Sequence, residues 1–299
     1  MKVAFIGLGT MGYPMAGHLQ QNKFAVTVYN RSIDKAIKWQ EEYQGQYAQT
    51  AKAACNDADV VLLCVGNDND LRQICYGEQG ILAGLKKGAI FVDHTTTSAE
   101  VAIEISQACE QQGNTFLDAP VSGGEVGAQN GQLTIMVGGA ESAFKQAQAV
   151  FKHYEKQSTL LGDVGSGQTC KMVNQLCIAG VLQGLCEGLT LAQKAGLDLV
   201  QVRDVLKHGA AQSWQLEQRT HTMAKDEFDF GFAIDWMRKD LNICIQQAEQ
   251  LGLSLPLANM VDDAYQQLQQ QGLNRNDTSV LIKATQQQLF TKQDKLTRE

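Results

Sequence analysis

The chain has 299 residues, 44% of them hydrophobic, enough for one large or two ordinary domains with sizeable cores. Charged residues make up 19% and the net charge is −7, which argues against a nucleic-acid partner. Any anionic ligand must then be held locally, by a few placed cations and backbone N–H groups.

The first half alternates short apolar runs with amphipathic stretches. Val3 to Ile6 reads as a strand, followed by a glycine-rich turn and a helix to about Gln21. Phe24 to Tyr29 is a second strand and Ile33 to Tyr43 a second helix. Further strands are expected at Val60 to Val65, Ala89 to Asp93, Thr115 to Val121 and Leu133 to Val137. Nearly continuous apolar strands separated by helices predict a mostly parallel sheet covered on both faces, in the doubly wound α/β class. After about Gly162 the strand signals vanish. Met172 to Cys186 carries no charge, with Gly180 and Gly184 interrupting it and Asn174, Gln175 and Gln183 within it. That composition predicts a helix buried between domains or subunits and so a homodimer or homotetramer. Amphipathic helices follow at about Leu199 to Lys207, Ile234 to Leu251, Leu257 to Gln271 and Ser279 to Phe290. The predicted domains are 1–163 and 164–299.

The N-terminal residues enter an apolar strand by Val3, with neither a cleavable signal nor an Arg-rich transit segment. No apolar run reaches the roughly 20 residues that a bilayer needs. None of the eight cysteines forms a C-x-x-C pair, and most lie in apolar runs, which predicts buried free thiols in a reducing compartment. A cytoplasmic protein is expected. His18, His94, His153, His208 and His221 are scattered without metal-ligand spacing, so no metal is expected.

Gly7-Leu8-Gly9-Thr10-Met11-Gly12 matches G-x-G-x-x-G, and it follows a strand, opens a helix and precedes another strand. Gly7 permits the tight turn, Gly9 lets backbone approach a pyrophosphate, and Gly12 lets helix and strand pack closely. The fold expected is therefore a doubly wound Rossmann-type parallel sheet followed by an all-α second domain. About 20 residues on, where an acidic residue would bind the ribose 2′-hydroxyl of NAD, stand Asn30-Arg31-Ser32. An Arg fork can hold a 2′-phosphate that a carboxylate would repel, which favours NADP over NAD. The alternative is an exposed Arg at a helix start.

Asp118-Ala119-Pro120-Val121-Ser122-Gly123-Gly124 follows a strand and supplies small residues able to cradle a carboxylate; by itself it is equally a tight connection. Lys171 is the only charge between Asp163 and Glu187, and Asn174, three residues on, shares its helix face. A desolvated ammonium can trade a proton near neutral pH, whereas a Lys snorkelling at the helix start does no chemistry. Arg238-Lys239-Asp240-Leu241, taken alone, reads as a solvated helix face, and Trp236 and Arg238 as surface residues.

Together these segments resemble the β-hydroxyacid dehydrogenase family, over nearly the whole length. The match rests on Phe5 to Met15, Asp118 to Gly124, Gly167 to Asn174 and Lys239-Asp240-Leu241. The resemblance implies hydride transfer between a nicotinamide and a short semialdehyde or 2-oxo/3-oxo acid. Lys171 would be the general acid/base and Asn174 would position the substrate beside it. Ser122, Gly123 and Gly124 would hold the substrate carboxylate, with Phe232 and Asp240 lining the substrate pocket. Thr96 and Lys239 would contact the cofactor near its nicotinamide, and Val65 would meet it through the main chain. The chain departs from the family pattern at Val65-Gly66-Asn67-Asp68 and at His94-Thr95. An imine reductase on the same fold and a non-catalytic NADP-binding regulator are the alternatives; Lys171 weighs against the first, and Lys171 together with Asn174 and the Ser122 loop against the second.

Overall fold

The computed structural model describes residues 1–289. The chain divides into two compact units, Met1–Lys171 and a second from Met172 onward. The predicted boundary at 163/164 falls eight residues earlier.

The first unit runs β1 (Lys2–Ile6), α1 (Gly12–Gln21), β2 (Ala25–Tyr29), α2 (Ile33–Tyr43), β3 (Gln46–Tyr47), α3 (Ala51–Cys55), β4 (Val60–Leu63), α4 (Asp68–Cys75), β5 (Ile90–Asp93), α5 (Ala99–Glu110), β6 (Thr115–Asp118), β7 (Val121–Ser122), α6 (Gly124–Gln129), β8 (Leu133–Gly139), α7 (Glu141–Phe151) and β9 (Glu155–Gly162). One nine-stranded sheet has the order β3-β2-β1-β4-β5-β6-β8-β7, with β9 beside β8. The pairs from β3 through β6 are parallel, in register Val3↔Val60 and Ile90↔Thr115, and β8 runs antiparallel to β6 and β7. Alternate strand residues feed two apolar layers: Val3, Phe5, Leu62 and Val92 on one face, Ala4, Ile6, Val61 and Phe91 on the other. Both faces are covered, which is why these strands read as unbroken apolar runs.

The strand reading of the first unit needs correction at two places. The strand predicted from Thr115 to Val121 is two strands, because Ala119-Pro120 interrupts it and proline brings no ladder donor. β9 was not predicted: most of its residues are exposed or half-buried and polar, so it shows neither apolar run nor strict alternation.

α8 (Ser166–Lys194) begins in the first unit and is followed by α9 (Leu199–Leu206), α10 (Trp214–Ala224), α11 (Ile234–Gln250), α12 (Pro256–Gln270), a 3₁₀ turn (Thr278–Val280) and α13 (Leu281–Gln286). The second unit's core repeats a 3-4-3 spacing: Ala179, Leu182, Cys186 and Leu189 on α8; Ile234, Met237 and Leu241 on α11; Val261, Tyr265 and Leu268 on α12. The segment expected to be helical to Phe290 is a 3₁₀ turn and six helical residues, and Phe290 lies outside the described residues. α10 escaped sequence reading because it buries only Leu216, Thr220 and Met223.

α8 also corrects the reading that nothing is long enough to cross a membrane. It has 29 residues and contains an 18-residue window that passes by length and composition. Its polar residues and packing are those of a core helix: Gln175 and Gln183 are buried and bonded, and its apolar stripe is part of the core just described. Arg238-Lys239-Asp240-Leu241 is likewise no solvated face. Asp240 and Leu241 are buried, and Arg238 grips both carboxylate oxygens of Asp262 at 2.9 and 3.0 Å, tying α11 to α12.

Asp277 anchors the segment before α13. Its buried carboxylate accepts from Arg219 Nε (3.0 Å), from the backbone N–H of Phe232 (3.0 Å) and from Ser279 Oγ (2.6 Å). Arg219 in turn lies over the rings of Trp214 and Phe230. Removing one member of a buried ion pair leaves the other charge uncompensated. Asp277→Ala is therefore expected to lower unfolding free energy by about 3–5 kcal/mol, read from urea denaturation of the full chain.

Candidate active site

The fingerprint turn leaves the carboxyl end of β1, where open α/β sheets place their ligands. Gly7 has φ +92°, and a Cβ there would overlap the carbonyl oxygen of Cys64. One at Gly12 would overlap the carbonyl of Gly7 and press on the Phe5 ring. At Gly9 nothing lies within 4 Å of where a Cβ would stand. Two glycines thus serve the fold, while the third borders open space. No side chain caps the N-terminus of α1, where Tyr13 N–H bonds the Gly9 carbonyl at 3.1 Å and Pro14 brings no N–H, so an anion would be met by the glycine turn before the helix. This cradle fits a dinucleotide pyrophosphate.

At the end of β2, Asn30 accepts the backbone N–H of Leu8 (2.9 Å) and donates to the carbonyl of Ser32 (3.0 Å). Its side chain pins one loop to the other. Arg31 extends into solvent, its side chain 83% exposed, with the Asp70 carboxylate 3.7 Å away. Ser32 precedes α2 without capping it.

The loops after β4 and β5 are tied together. Val65 N–H, the main-chain group expected to meet the cofactor, donates to Thr95 Oγ1 (3.0 Å). Asp68 accepts from both the N–H (3.1 Å) and Oγ (2.5 Å) of Ser98. Half-buried Thr96 lies between Thr95 and Thr97, both buried. Beneath them, His94 is fully buried: Nδ1 faces the carbonyl of Ala119 (2.7 Å) and Nε2 the hydroxyl of Tyr154 (3.0 Å). A carbonyl only accepts, so Nδ1 carries the proton and Tyr154 donates to Nε2.

The end of β6 sets the first turn of α8. Asp118 is buried and accepts the backbone N–H groups of Gly165 and Gln168, each at 2.8 Å. Burial pushes its carboxyl above the usual range, and backbone N–H bonds from Gly165, Gln168, Asp118 and Gly167 restrain the rise. One turn later Lys171 is 7% exposed, and its Nζ donates to the carbonyl of Val121 (2.8 Å). The snorkelling alternative is thereby removed. Val121 immediately precedes Ser122, half-buried, and the exposed Gly123 and Gly124, which turn with φ of +133° and +63°. The structure thus brings Lys171 beside the Ser122 loop, and both within the first unit.

In the second unit, Asn174 donates to Gln175 Oε1 (2.7 Å), and Gln175 donates to Asp240 Oδ2 (2.5 Å). Lys239 Nζ stands 3.0 Å from Asp240 Oδ1. Three of the expected site residues are linked there through Gln175, a buried amide that sequence reading passed over. Phe232, 37% exposed, is held by its backbone: its N–H on Asp277 and its carbonyl accepting from Thr278 (2.9 Å). Asp277 lies 45 residues downstream and gave no local signal.

Residues 2–162 match the family model for the NAD-binding domain of 6-phosphogluconate dehydrogenase, and 165–285 match that for the NAD-binding region of NADP-dependent 3-hydroxyisobutyrate dehydrogenase. An uncharacterized oxidoreductase from Shewanella frigidimarina is 55% identical, over 94% of this chain and 97% of its own. The 2-hydroxy-3-oxopropionate reductase of Escherichia coli is 35% identical, over 95% and 97%. Among solved structures, 3-hydroxyisobutyrate dehydrogenase of Mycobacterium tuberculosis with L-serine superposes with a TM-score of 0.86 at 28% identity, over 95% of this chain and 98% of that one.

The environment of His94 has a measurable consequence. Burial lowers its pKa from 6.5 to about 4, against a smaller opposing effect of the Ala119 bond. The unfolded chain then binds a proton that the folded one refuses. Stability is complete above pH 6.5 and falls as pH drops towards 4, by up to about 3 kcal/mol from this group. Denaturation midpoints of wild type and His94→Gln across pH 7 to 4 check this, the variant losing the larger part of that slope.

Proposed function

The chain belongs to the β-hydroxyacid dehydrogenase family, and from that premise we propose that it interconverts a short semialdehyde, or a 2-oxo or 3-oxo acid, and the corresponding hydroxy acid. It is an oxidoreductase that uses a nicotinamide cofactor. The observation that carries the finer reading is the ammonium of Lys171, buried and 2.8 Å from the carbonyl of Val121, at the edge of the Ser122-Gly123-Gly124 turn.

When bound, the nicotinamide supplies or accepts the hydride. In the proposed reaction the turn at Ser122 to Gly124 receives the substrate carboxylate, which orients the carbonyl and removes much of the entropic barrier. Lys171 gives its Nζ proton to the carbonyl oxygen as negative charge develops there, and takes the hydroxyl proton in the reverse direction. The family resemblance also assigns Asn174, Phe232 and Asp240 to the substrate, and Thr96, Val65 and Lys239 to the nicotinamide. Gly7, Leu8, Gly9, Thr10, Met11 and Gly12 bind the pyrophosphate. Asn30, Arg31 and Ser32 surround the adenosine ribose, and Arg31 selects NADP over NAD.

We infer further that the protein is a cytoplasmic homodimer or homotetramer. The oligomer is supported by the exposed apolar residues Val173, Val181 and Leu191 on α8, and the compartment by eight free thiols.

Lys171→Ala is expected to lower kcat on succinic semialdehyde or glyoxylate at least about 100-fold, with NADPH affinity retained. Full activity in that variant would remove Lys171 from the mechanism. Arg31→Ala is expected to raise KM for NADPH about 10- to 100-fold and leave NADH unchanged, as losing one charge-assisted contact implies. A wild-type enzyme preferring NADH would defeat the NADP assignment.

A further inference from the structure

The first turn of α8 carries a fully buried amide to which the proposed chemistry gives no task. Gln168 Nε2 donates to the carbonyl of Thr95 at 2.7 Å, and its Oε1 accepts the N–H of Thr97 at 3.0 Å. Its own backbone N–H is held by Asp118, so both ends of the residue are fixed. The two backbone groups it grips flank Thr96. A side chain that offers a donor and an acceptor side by side matches them; an ionised Glu supplies acceptors only, and Met supplies no donor.

Gln168 also lies three residues before Lys171, on the same face of the helix. One helical turn therefore carries both the ammonium and the amide that grips the Thr96 segment. The other side of that segment is fastened by Ser98 to Asp68 and by Thr95 to Val65, which leaves it little slack.

We propose that Gln168 is a positioning residue, which sets the Thr96 segment, and with it the nicotinamide end of the cofactor, at a fixed distance from Lys171. This rests on the reading of Thr96 and Lys171 given above. Hydride transfer is sensitive to such spacing, since a misplacement of about 1 Å can cost about 100-fold in rate.

The test uses the full chain with Gln168→Met, close in length and unable to bridge, and Gln168→Leu, which loses both the donor to Thr95 and the acceptor for Thr97. Amide hydrogen exchange, NADPH affinity, the steady-state constants and the kinetic isotope effect with 4-deuterated NADPH are measured. Exchange at Thr97 is expected to quicken at least about tenfold. NADPH affinity and substrate KM should stay within about threefold of wild type, while kcat falls about 100-fold and the isotope effect on kcat rises. If the Met variant does not fold, the Leu variant must show the same split.

Unchanged exchange at Thr97 overturns the inference whatever the activity. So does a loss of kcat matched by an equal loss of NADPH affinity, which would make Gln168 a support of the fold. A Gln168→Met enzyme with full kcat beside an inactive Lys171→Ala enzyme sinks the inference alone. A wild type inactive on every semialdehyde sinks the underlying reading, and the exchange measurement still decides whether Gln168 holds the loop.

Discussion

A single buried carboxylate sets the frame of the Lys171 end of the first unit. Asp118 ends β6, in register with Asp93 of β5, and receives the N–H groups of Gly165 and Gln168 at the start of α8. Helix N-termini leave such donors unsatisfied and carry partial positive charge, so a carboxylate delivered by the sheet locks helix to strand. Gly167 sits so close to the carbonyls of Asp118 and Met136 that no side chain fits there. With the first turn clamped, the next turn brings Lys171 to the carbonyl of Val121. Burial raises the carboxyl's pKa, so its charged form is carried at a cost. What it supplies in return is position.

Sequence reveals local geometry well and partners distant along the chain poorly. The glycine fingerprint was legible because its spacing sits in a strand-turn-helix context that periodicity shows, and α2 was legible to its last residue from periodicity alone. Asn30 was noticed as a departure from an acidic residue, yet its work as a pin on Leu8 depends on a loop 22 residues away. Gln168 bonds to residues 71 and 73 positions upstream, and no spacing rule announces such a pair. Lys171 stood as buried acid or snorkelling cation until the fold showed which surface it faces.

The second unit teaches the same lesson through polar contacts. Asp240 looked like part of a solvated cluster because three charged residues stand together, but the 3-4-3 apolar stripe of α11 places it inward. There it meets Gln175 and Lys239, and Gln175 passes the constraint on to Asn174. A buried network of this kind holds its members only while every link is satisfied. Positions that family resemblance names as pocket residues thus depend on neighbours that the resemblance does not name.

The three fingerprint glycines divide their labour, and the division reaches past this loop. At 7 and 12 an added methyl collides with the protein's own backbone; at 9 it collides with nothing. The first two positions are constrained by the chain itself and, under the proposed pyrophosphate seat, the third by a molecule from outside. A methyl at 9 would leave the architecture whole while occupying its guest's seat, so foldability and occupancy are separable traits in this turn and can be lost one without the other.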